Sequence, residues 1–394
     1  MHKVKRRFRF YPSEAQKIEL AKLFGCARFV YNAGLEWRQK EFEAGRKPSY
    51  NKSSAWLTLF KREHEFLNEV SCVPLQQSLR HLQDAYVNFF KKRSKFPNFK
   101  SRDNRQSCEF TKQGFVYRDS QLSLAKIGKL NIKWSLDLES PPTTVTVVKE
   151  PSGKYFVSLT VQEAERQFPA TNSSVGIDLG IETFATLSTG EKFKQPAKIR
   201  KLRKKLAALQ RSYSRKAKGS KRREKARIKA ARLHQHIADV RKDFLHKLST
   251  KLVRENQTVV LEDLNIGGML KNRCLARCIG EQGWRTFRDM LAYKCEWYGR
   301  KLELCSRWLP SSKTCSACGE KKALTLKDRV WTCTCGATHD RDINAAQNIL
   351  AAGLAASARG GSARPERVYL LKARPVKREL ACITAGERNQ MMRL

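Results

Sequence analysis

A chain of 394 residues is long enough for two or three domains, and its 41% apolar content is enough to build real cores, which excludes a disordered protein. Lys and Arg number 79 against 37 Asp and Glu, a formal charge of +42. That much like charge opposes a compact fold unless polyanions neutralise it, so the expected partner is nucleic acid rather than a lipid surface or an acidic small molecule.

The opening MHKVKRRFRFYPS lacks the apolar core of a signal segment, and no window approaches ~18 apolar residues. The expectation is an intracellular, cytoplasmic protein without a membrane partner, whose twelve cysteines are thiols rather than disulfides. Residues 3–10 alternate loosely around Val4, Phe8 and Phe10 and predict a strand that Pro12 ends. Ser13 with Gln16 forms a capping box opening a helix whose apolar positions recur from Ile18 to Trp37. A loop, EAGRKPSY, leads to a second helical region around Trp56 and Phe60, and a third begins after Pro74 and runs to Phe90. Residues 13–93 are therefore expected to be a helical domain, with the aromatic stripe as its core. KKRSKFPNFKSR (91–102) sets cations around a rigid Pro turn and suits contact with a phosphate backbone.

From 108 to 163 the period changes to β-branched and aromatic runs separated by Gly, Asp and Pro-Ser-Gly turns, which predicts a small antiparallel barrel or sheet joined by the first strand. VGIDLGIETFATLSTGEKF reads as a buried strand carrying Asp178, a Gly turn and a second strand. The most basic segment follows, a helical hairpin over 196–254 broken at Lys218-Gly219-Ser220, its single-sign charge predicting a nucleic-acid track. TVVLEDLN is a short strand ending in Glu262 and Asp263; a helix from Trp284 then leads to a strand near 301–305. After Leu350 the Gly, Ala, Ser and Arg content predicts a disordered tail over 353–394.

Two motifs carry chemistry. Cys315-x-x-Cys318 and Cys333-x-Cys335 place four thiolates at the spacing of a structural zinc ribbon, with His339 as a substitute ligand should the tight second pair fail to close. Cys274 and Cys278 are spaced like ligands but have no second pair nearby; the remaining cysteines read as buried or incidental thiols. Asp178, Glu262 and Asp342 stand at the ends of three separate elements. Acids in apolar surroundings are costly unless paired or metal-bound, and three that converged would call for divalent cations, the arrangement of two-metal phosphodiester hydrolysis. Two Mg²⁺ ions suit such hard oxygen ligands. From spacing alone three scattered acids are a weak signal, and Asp263 and Asp340 compete locally.

The strings GIDLGIETFATLS, VVLEDLN and C-x-x-C-G … C-x-C-G-x-x-H-D-R-D-I-N-A-A-Q-N-I-L resemble the TnpB family of bacterial insertion sequences, relatives of type V CRISPR effectors. The N-terminal GCARFVYNAGLE, VPLQQSLRHLQDAYVNFF and FPNFKSR are similar to that family too, so the likeness spans roughly 1–352. The resemblance implies an α/β and β-plus-α multi-domain fold. Its parts would be a wedge-type β-barrel (1–12 with 94–170), a helical recognition domain (13–93), a RuvC-type, RNase H-like nuclease domain (171–305), an inserted zinc ribbon (306–340) and a C-terminal RuvC helix (341–352). It implies an RNA-guided DNA endonuclease, near the bacterial nucleoid, with a transposon-end guide RNA, double-stranded target DNA beside a short motif, and a companion transposase as partners. Asp178, Glu262 and Asp342 would be the catalytic, magnesium-binding acids, and the four cysteines would hold one zinc. Tyr50, Gln76 and Gln77 are candidates for reading the target-adjacent motif, since hydroxyl and amide groups suit base edges. The rival readings are a strand-transferring DNA transposase and a non-catalytic RNA-guided DNA-binding regulator.

Overall fold

The structure is a computed structural model that describes residues 2–325 and 327–358. The chain begins with β1 (His2–Phe10) and α1 (Glu14–Glu43), the helix opening on the Ser13–Gln16 capping box that its sequence announces. Next come α2 (Tyr50–Glu63) and α3 (Cys72–Phe90). The third helix starts before Pro74 rather than after it, because a first-turn proline gives up an N–H that has no intrahelical partner there.

Seven strands make the β region of the N-terminal half besides β1, the first six being β2 (Gln106–Thr111), β3 (Phe115–Arg118), β4 (Gln121–Leu124), β5 (Gly128–Lys129), β6 (Ile132–Lys133) and β7 (Thr144–Lys149). With β8 (Tyr155–Glu163) they form a five-stranded antiparallel sheet ordered β2-β7-β8-β1-β6 and a three-stranded sheet β3-β4-β5. Nine residue pairs register β1 against β8, so the first strand does close this region, as its alternation predicts. One core runs from Leu20, Leu75 and Leu79 of the helices into Phe110, Val145 and Val157 of the sheet, so helices and sheet are held together by shared apolar burial.

The second half is built on a mixed sheet: β9 (Ser174–Asp178), β10 (Ala185–Leu187) and β11 (Lys192–Phe193), then β12 (Thr258–Glu262) and β13 (Lys301–Cys305), in the order β11-β10-β9-β12-β13. β9, β12 and β13 run parallel. Between β11 and β12 lies the basic hairpin of α4 (Ala197–Ser214) and α5 (Lys221–Glu255), zipped by Ile199, Leu206, Ala230 and Ile237. Between β12 and β13 lie α6 (Ile266–Met269), α7 (Ala276–Gln282) and α8 (Trp284–Tyr298). Leu248 and Leu252 of α5 and Phe287 and Leu291 of α8 bury one face of this sheet. A small hairpin, β14 (Val330–Thr332) with β15 (Thr338–Asp340), then leads directly into α9 (Arg341–Ala358).

Helix α9 covers the other face and corrects one expectation, that of a tail beginning at 353. It starts at Arg341, so Asp342 lies inside its first turn, and it continues through Gly353 to Ala358 rather than giving way to a tail at 353. Gly353 is no stop: a Cβ there would meet Val260 Cγ1 at 2.3 Å, so the missing side chain lets the helix sit against β12. The rest of the predicted tail, 359–394, lies outside the described residues, as does Cys382.

Candidate active site

Strand register brings the first two acids together. β9 pairs with β12 in parallel up to Ile177 opposite Leu261, which leaves Asp178 and Glu262 at the C-terminal ends of neighbouring strands. Alternation sends Ile177 and Leu261 into the core under α5 and α8. Gly176 and Asp178, with Val260 and Glu262, therefore share the face that α9 covers. α9 lies almost on the backbone there: a Cβ on Gly176 would stand 2.2 Å from the carbonyl oxygen of Ala346 and 2.7 Å from the N of Leu350. Asp342 is one helical turn before Ala346, so it reaches the same sheet end.

The electrostatics report the convergence. Burial first, then the charges of Asp342 and Glu262, push the Asp178 carboxyl up to about 7, against a smaller pull from Arg341. Burial and neighbouring Asp263 raise Glu262 as well. Arg329 and Arg341 approach an Asp342 oxygen at 3.9 Å each, too far for hydrogen bonds. A half-buried carboxylate among carboxylates is an unmet demand for positive charge, and a hard divalent cation fits this donor set. The three carboxylates stand further apart than the thiols described below.

The neighbouring acids have other work. Asp263 accepts from Arg288 at 2.9 Å and from Arg307, an ion-paired position facing away from the cluster. Asp340 receives the backbone N–H groups of Asp342 and Ile343, both at 3.1 Å, and pairs with Lys192 at 2.7 Å. It caps the helix that carries Asp342. Despite its partial burial, the Lys192 hydrogen bond and the N–H of Ile343 hold the Asp340 carboxyl below its usual range.

Upstream of β15, the sulfur atoms of Cys315, Cys318, Cys333 and Cys335 all lie within 4.8 Å of one another. Cys315 to Cys335 is 3.8 Å and Cys318 to Cys333 is 3.6 Å. Tetrahedral coordination with Zn–S near 2.3 Å places sulfurs about 3.8 Å apart, so this four-thiol cluster fits such an ion. The tight Cys-x-Cys closes because Gly336, at φ +88°, turns the chain back and donates to the Cys333 carbonyl. His339 does not replace a cysteine; its Nε2 lies 3.1 Å from the Cys315 sulfur, beside the four. Burial works against it, but the N–H groups of Cys318 and Ala317 bring the Cys315 thiol down to about 6; for Cys318 the N–H of Glu320 pulls down, yet the Cys335 thiol and burial push it up to about 12, so the four thiols do not ionise alike without a cation between them. Cys274 and Cys278, exposed and half-buried, join no such group among the described residues.

Sequence reasoning missed the clamp between cluster and helix. Asn344, 1% exposed, accepts from the N–H of Ser316 at 2.9 Å and donates to the carbonyl of Thr314 at 2.7 Å. Asn348 donates to the same Thr314 carbonyl at 2.6 Å and to that of Ser311 at 2.8 Å. The i, i+4 spacing of two asparagines inside N-A-A-Q-N is the signal that could have found it. Elsewhere, Tyr50 begins α2 with the Arg80 guanidinium 4.4 Å over its ring. Gln76, exposed, and Gln77, half-buried, stand on α3 just before Arg80.

Fold and site together define an α/β protein with a carboxylate cluster at one sheet end, a four-cysteine knuckle clamped beside it and a strongly basic surface. The chain belongs to the TnpB family of insertion-sequence proteins. A family model described as "Probable transposase" matches residues 156–273, a "Cas12f1-like, TNB domain" model matches 284–349, and a "Helix-turn-helix domain" model matches 1–47. That last stretch folds here as a strand and one long helix. The chain is 54% identical to a "Putative RNA-guided DNA endonuclease" of Streptomyces pristinaespiralis, over 98% of this chain and 99% of that one. It is 35% identical to the Escherichia coli "Putative RNA-guided DNA endonuclease InsQ", over 90% and 93%. Among solved structures, the fold resembles a chain in a cryo-EM structure of a Cas12f1-sgRNA-target DNA complex (TM-score 0.54, 13% identity), covering 86% of this chain and 82% of that one. Among the described residues no helix is long and apolar enough to cross a membrane.

Proposed function

We propose that the protein is an RNA-guided DNA endonuclease whose nuclease half has a RuvC-type, RNase H-like fold, and that Asp178, Glu262 and Asp342 are its metal-binding carboxylates. The observation that carries this reading is the meeting of three acids from β9, β12 and α9 at one sheet end, with the Asp178 carboxyl pushed up to about 7 by burial and by the other two. Divalent magnesium held there would supply an activated water and stabilise the leaving 3′ oxygen. The chain's own residues set the stage: α9, seated on Gly176 through Ala346 and Leu350, carries Asp342 to the sheet end, Asp340 caps that helix, and Arg288 with Arg307 keep Asp263 out of the cluster. The four cysteines hold one structural zinc, and Asn344 and Asn348 transmit that rigidity to α9.

On this reading the α4–α5 hairpin and residues 91–102 carry polynucleotide backbone, while base pairing to the guide selects the target. Tyr50, Gln76 and Gln77, joined by Arg80, face the target-adjacent motif, and the transposon that supplies the guide also supplies the companion transposase. The test is to express the protein with its flanking DNA, sequence the RNA that copurifies, and offer plasmids bearing or lacking the matching target with Mg²⁺. Cleavage only of matched plasmid, lost in Asp342→Ala while RNA is retained, is expected. Strand-transfer product without RNA, or normal cutting by Asp342→Ala, would overturn it.

A further inference from the structure

β1 pairs along its whole length with β8, and its inward residues Val4, Phe8 and Phe10 are buried. Its outward residues are Lys3, Lys5, Arg7 and Arg9. Alternate residues of a strand are about 6.7 Å apart, comparable to the distance between successive phosphates of a polynucleotide. Solubility alone does not require four cations in a row on one face of a paired strand, with no acid interposed.

This row ends in a seam where cations outnumber anions. The Phe156 ring, opposite Arg9 in the β1–β8 register, has the Arg7 guanidinium 3.9 Å and the Arg9 guanidinium 5.2 Å from its centre. Helix α5 passes close by: Arg232 donates to the Ser152 carbonyl and Gln235 accepts from the Ser152 hydroxyl. Arg232 repels Arg9, and Lys242 and Arg7 repel one another. Burial, with like charge added, lowers the Arg9, Arg105 and Lys242 pKa values. Two carboxylates face these cations. Glu150 pairs with Arg7 at 2.6 Å and lies 3.5 Å from Arg105 Nε, and Asp239 faces Arg7 and Lys242. Arg9 Nη1 and Arg105 Nε remain without a hydrogen-bond acceptor. The seam is open, since the Arg7 and Arg105 side chains are 37% and 31% exposed.

We infer that the outer face of β1, from Lys3 to Arg9 and into the seam with Arg105 and α5, is a track for the phosphodiester backbone of a polynucleotide strand. Glu150 occupies its deepest position as a stand-in anion that a phosphate displaces. The strand of this track lies in the opposite half of the chain from the carboxylate cluster and outside the basic segments that composition singles out, and only its seam reaches one of them, at α5. It rests on the reading of the protein as a nucleic-acid enzyme, and the chemistry is common to a guide RNA and a target DNA.

Binding is measured in EDTA, where cleavage plays no part, with fluorescent oligouridylate in one arm and a mixed-sequence DNA duplex in the other, across a KCl series. Each lost phosphate contact lowers the slope of log K against log salt by about 0.7 on a single strand and about 0.9 on duplex DNA. Lys3→Gln with Lys5→Gln, and separately Arg7→Gln with Arg9→Gln, should each remove about 1.4 from the oligouridylate slope if the track holds RNA, or about 1.8 from the duplex slope if it holds DNA. Glu150→Gln should tighten the same arm. Lys17→Gln with Lys22→Gln, whose ammonium groups already pair with Glu14 and Glu69, should change neither. Unchanged slopes in both arms, or an equal loss in that control pair, would overturn the track. Should the arginine pair fail to fold, the exposed lysine pair decides. Failure of the track leaves metal-dependent cleavage by the wild type intact; failure of the nuclease reading leaves the slope changes intact.

Discussion

Gly176→Ala tests the packing on which the site depends. The added Cβ would stand 2.2 Å from the Ala346 carbonyl oxygen, 2.7 Å from Leu350 N and 2.8 Å from Leu350 Cβ. Two of these are backbone atoms of α9, so no rotamer change relieves the clash. For ordinary contact near 3.4 Å the helix must retreat by roughly 1 Å, taking Asp342 with it. Overpacking costs about 1–3 kcal/mol where side chains can yield, and a clash with helix backbone belongs at the upper end. At about 2–4 °C per kcal/mol for a domain of this size, the nuclease half should melt about 6–12 °C lower. A displacement of about 1 Å at a reacting group costs about a hundredfold in rate. Gly25→Ala is the control: it lies inside α1 with nothing within 4 Å of the added Cβ, and should stabilise by about 0.5–1 kcal/mol through helix propensity. Thermal unfolding by circular dichroism and cleavage by the RNA-loaded protein read both quantities. A Gly176→Ala protein that melts within a degree of wild type and cuts at its rate would refute the placement of α9 and, with it, the approach of Asp342 to Asp178.

Four further predictions concern the same half. Asp178→Asn should abolish cleavage yet stabilise the metal-free protein. Because the folded-state pKa is raised to about 7, the ionised carboxylate costs stability increasingly as pH rises from the unfolded value, and fully above 7. The shift corresponds to about 4 kcal/mol at most, and the group's partial exposure brings the expectation to about 1–2 kcal/mol near pH 8 in EDTA; a lower melting point for the variant there would sink the argument. Asp263→Asn should retain metal-dependent cleavage and lose no more than about 1 kcal/mol, since its arginine partners stay partly solvated; loss of cutting with normal folding would move the metal ligand from Glu262 to Asp263. Mass spectrometry under native conditions should find one zinc per chain, absent in Cys315→Ala. Asn344→Ala should keep its zinc but lose about 1–3 kcal/mol by leaving the Ser316 N–H unsatisfied, while Asn348 still serves the Thr314 carbonyl; an unchanged melting point would show the clamp to be idle.

Local signals were legible where one residue sets one conformation. Ser13 with Gln16 opens α1 and the Lys218-Gly219-Ser220 break divides the basic hairpin, because a cap or a breaker acts within a few residues. Pro74 and Gly353 misled for the same reason. Each is a helix breaker by local propensity, but Pro74 falls in a first turn that needs no N–H, and Gly353 answers to Val260, a residue far away in sequence. The four cysteines were legible as a group, whereas the closure of the tight pair depends on the positive φ of Gly336, which the spacing alone does not reveal.

The acids show where pattern reading stops. Asp178, Glu262 and Asp342 can each be placed at an element end from sequence, but their proximity is decided by the parallel β9–β12 register and by a helix seated on Gly176. Without that seat, Asp340 is as good a candidate as Asp342, two residues away; only the helix start separates the residue that caps α9 from the one that α9 presents. Gly176 therefore belongs with the acids in the motif V-G-I-D. The glycine lets a helix backbone approach the strand, the aspartate two residues on shares its face, and the distance between them and Ala346 brings the third carboxylate to the other two. A relative that kept all three acids but carried a larger residue at this glycine should bind guide and target normally and cut poorly.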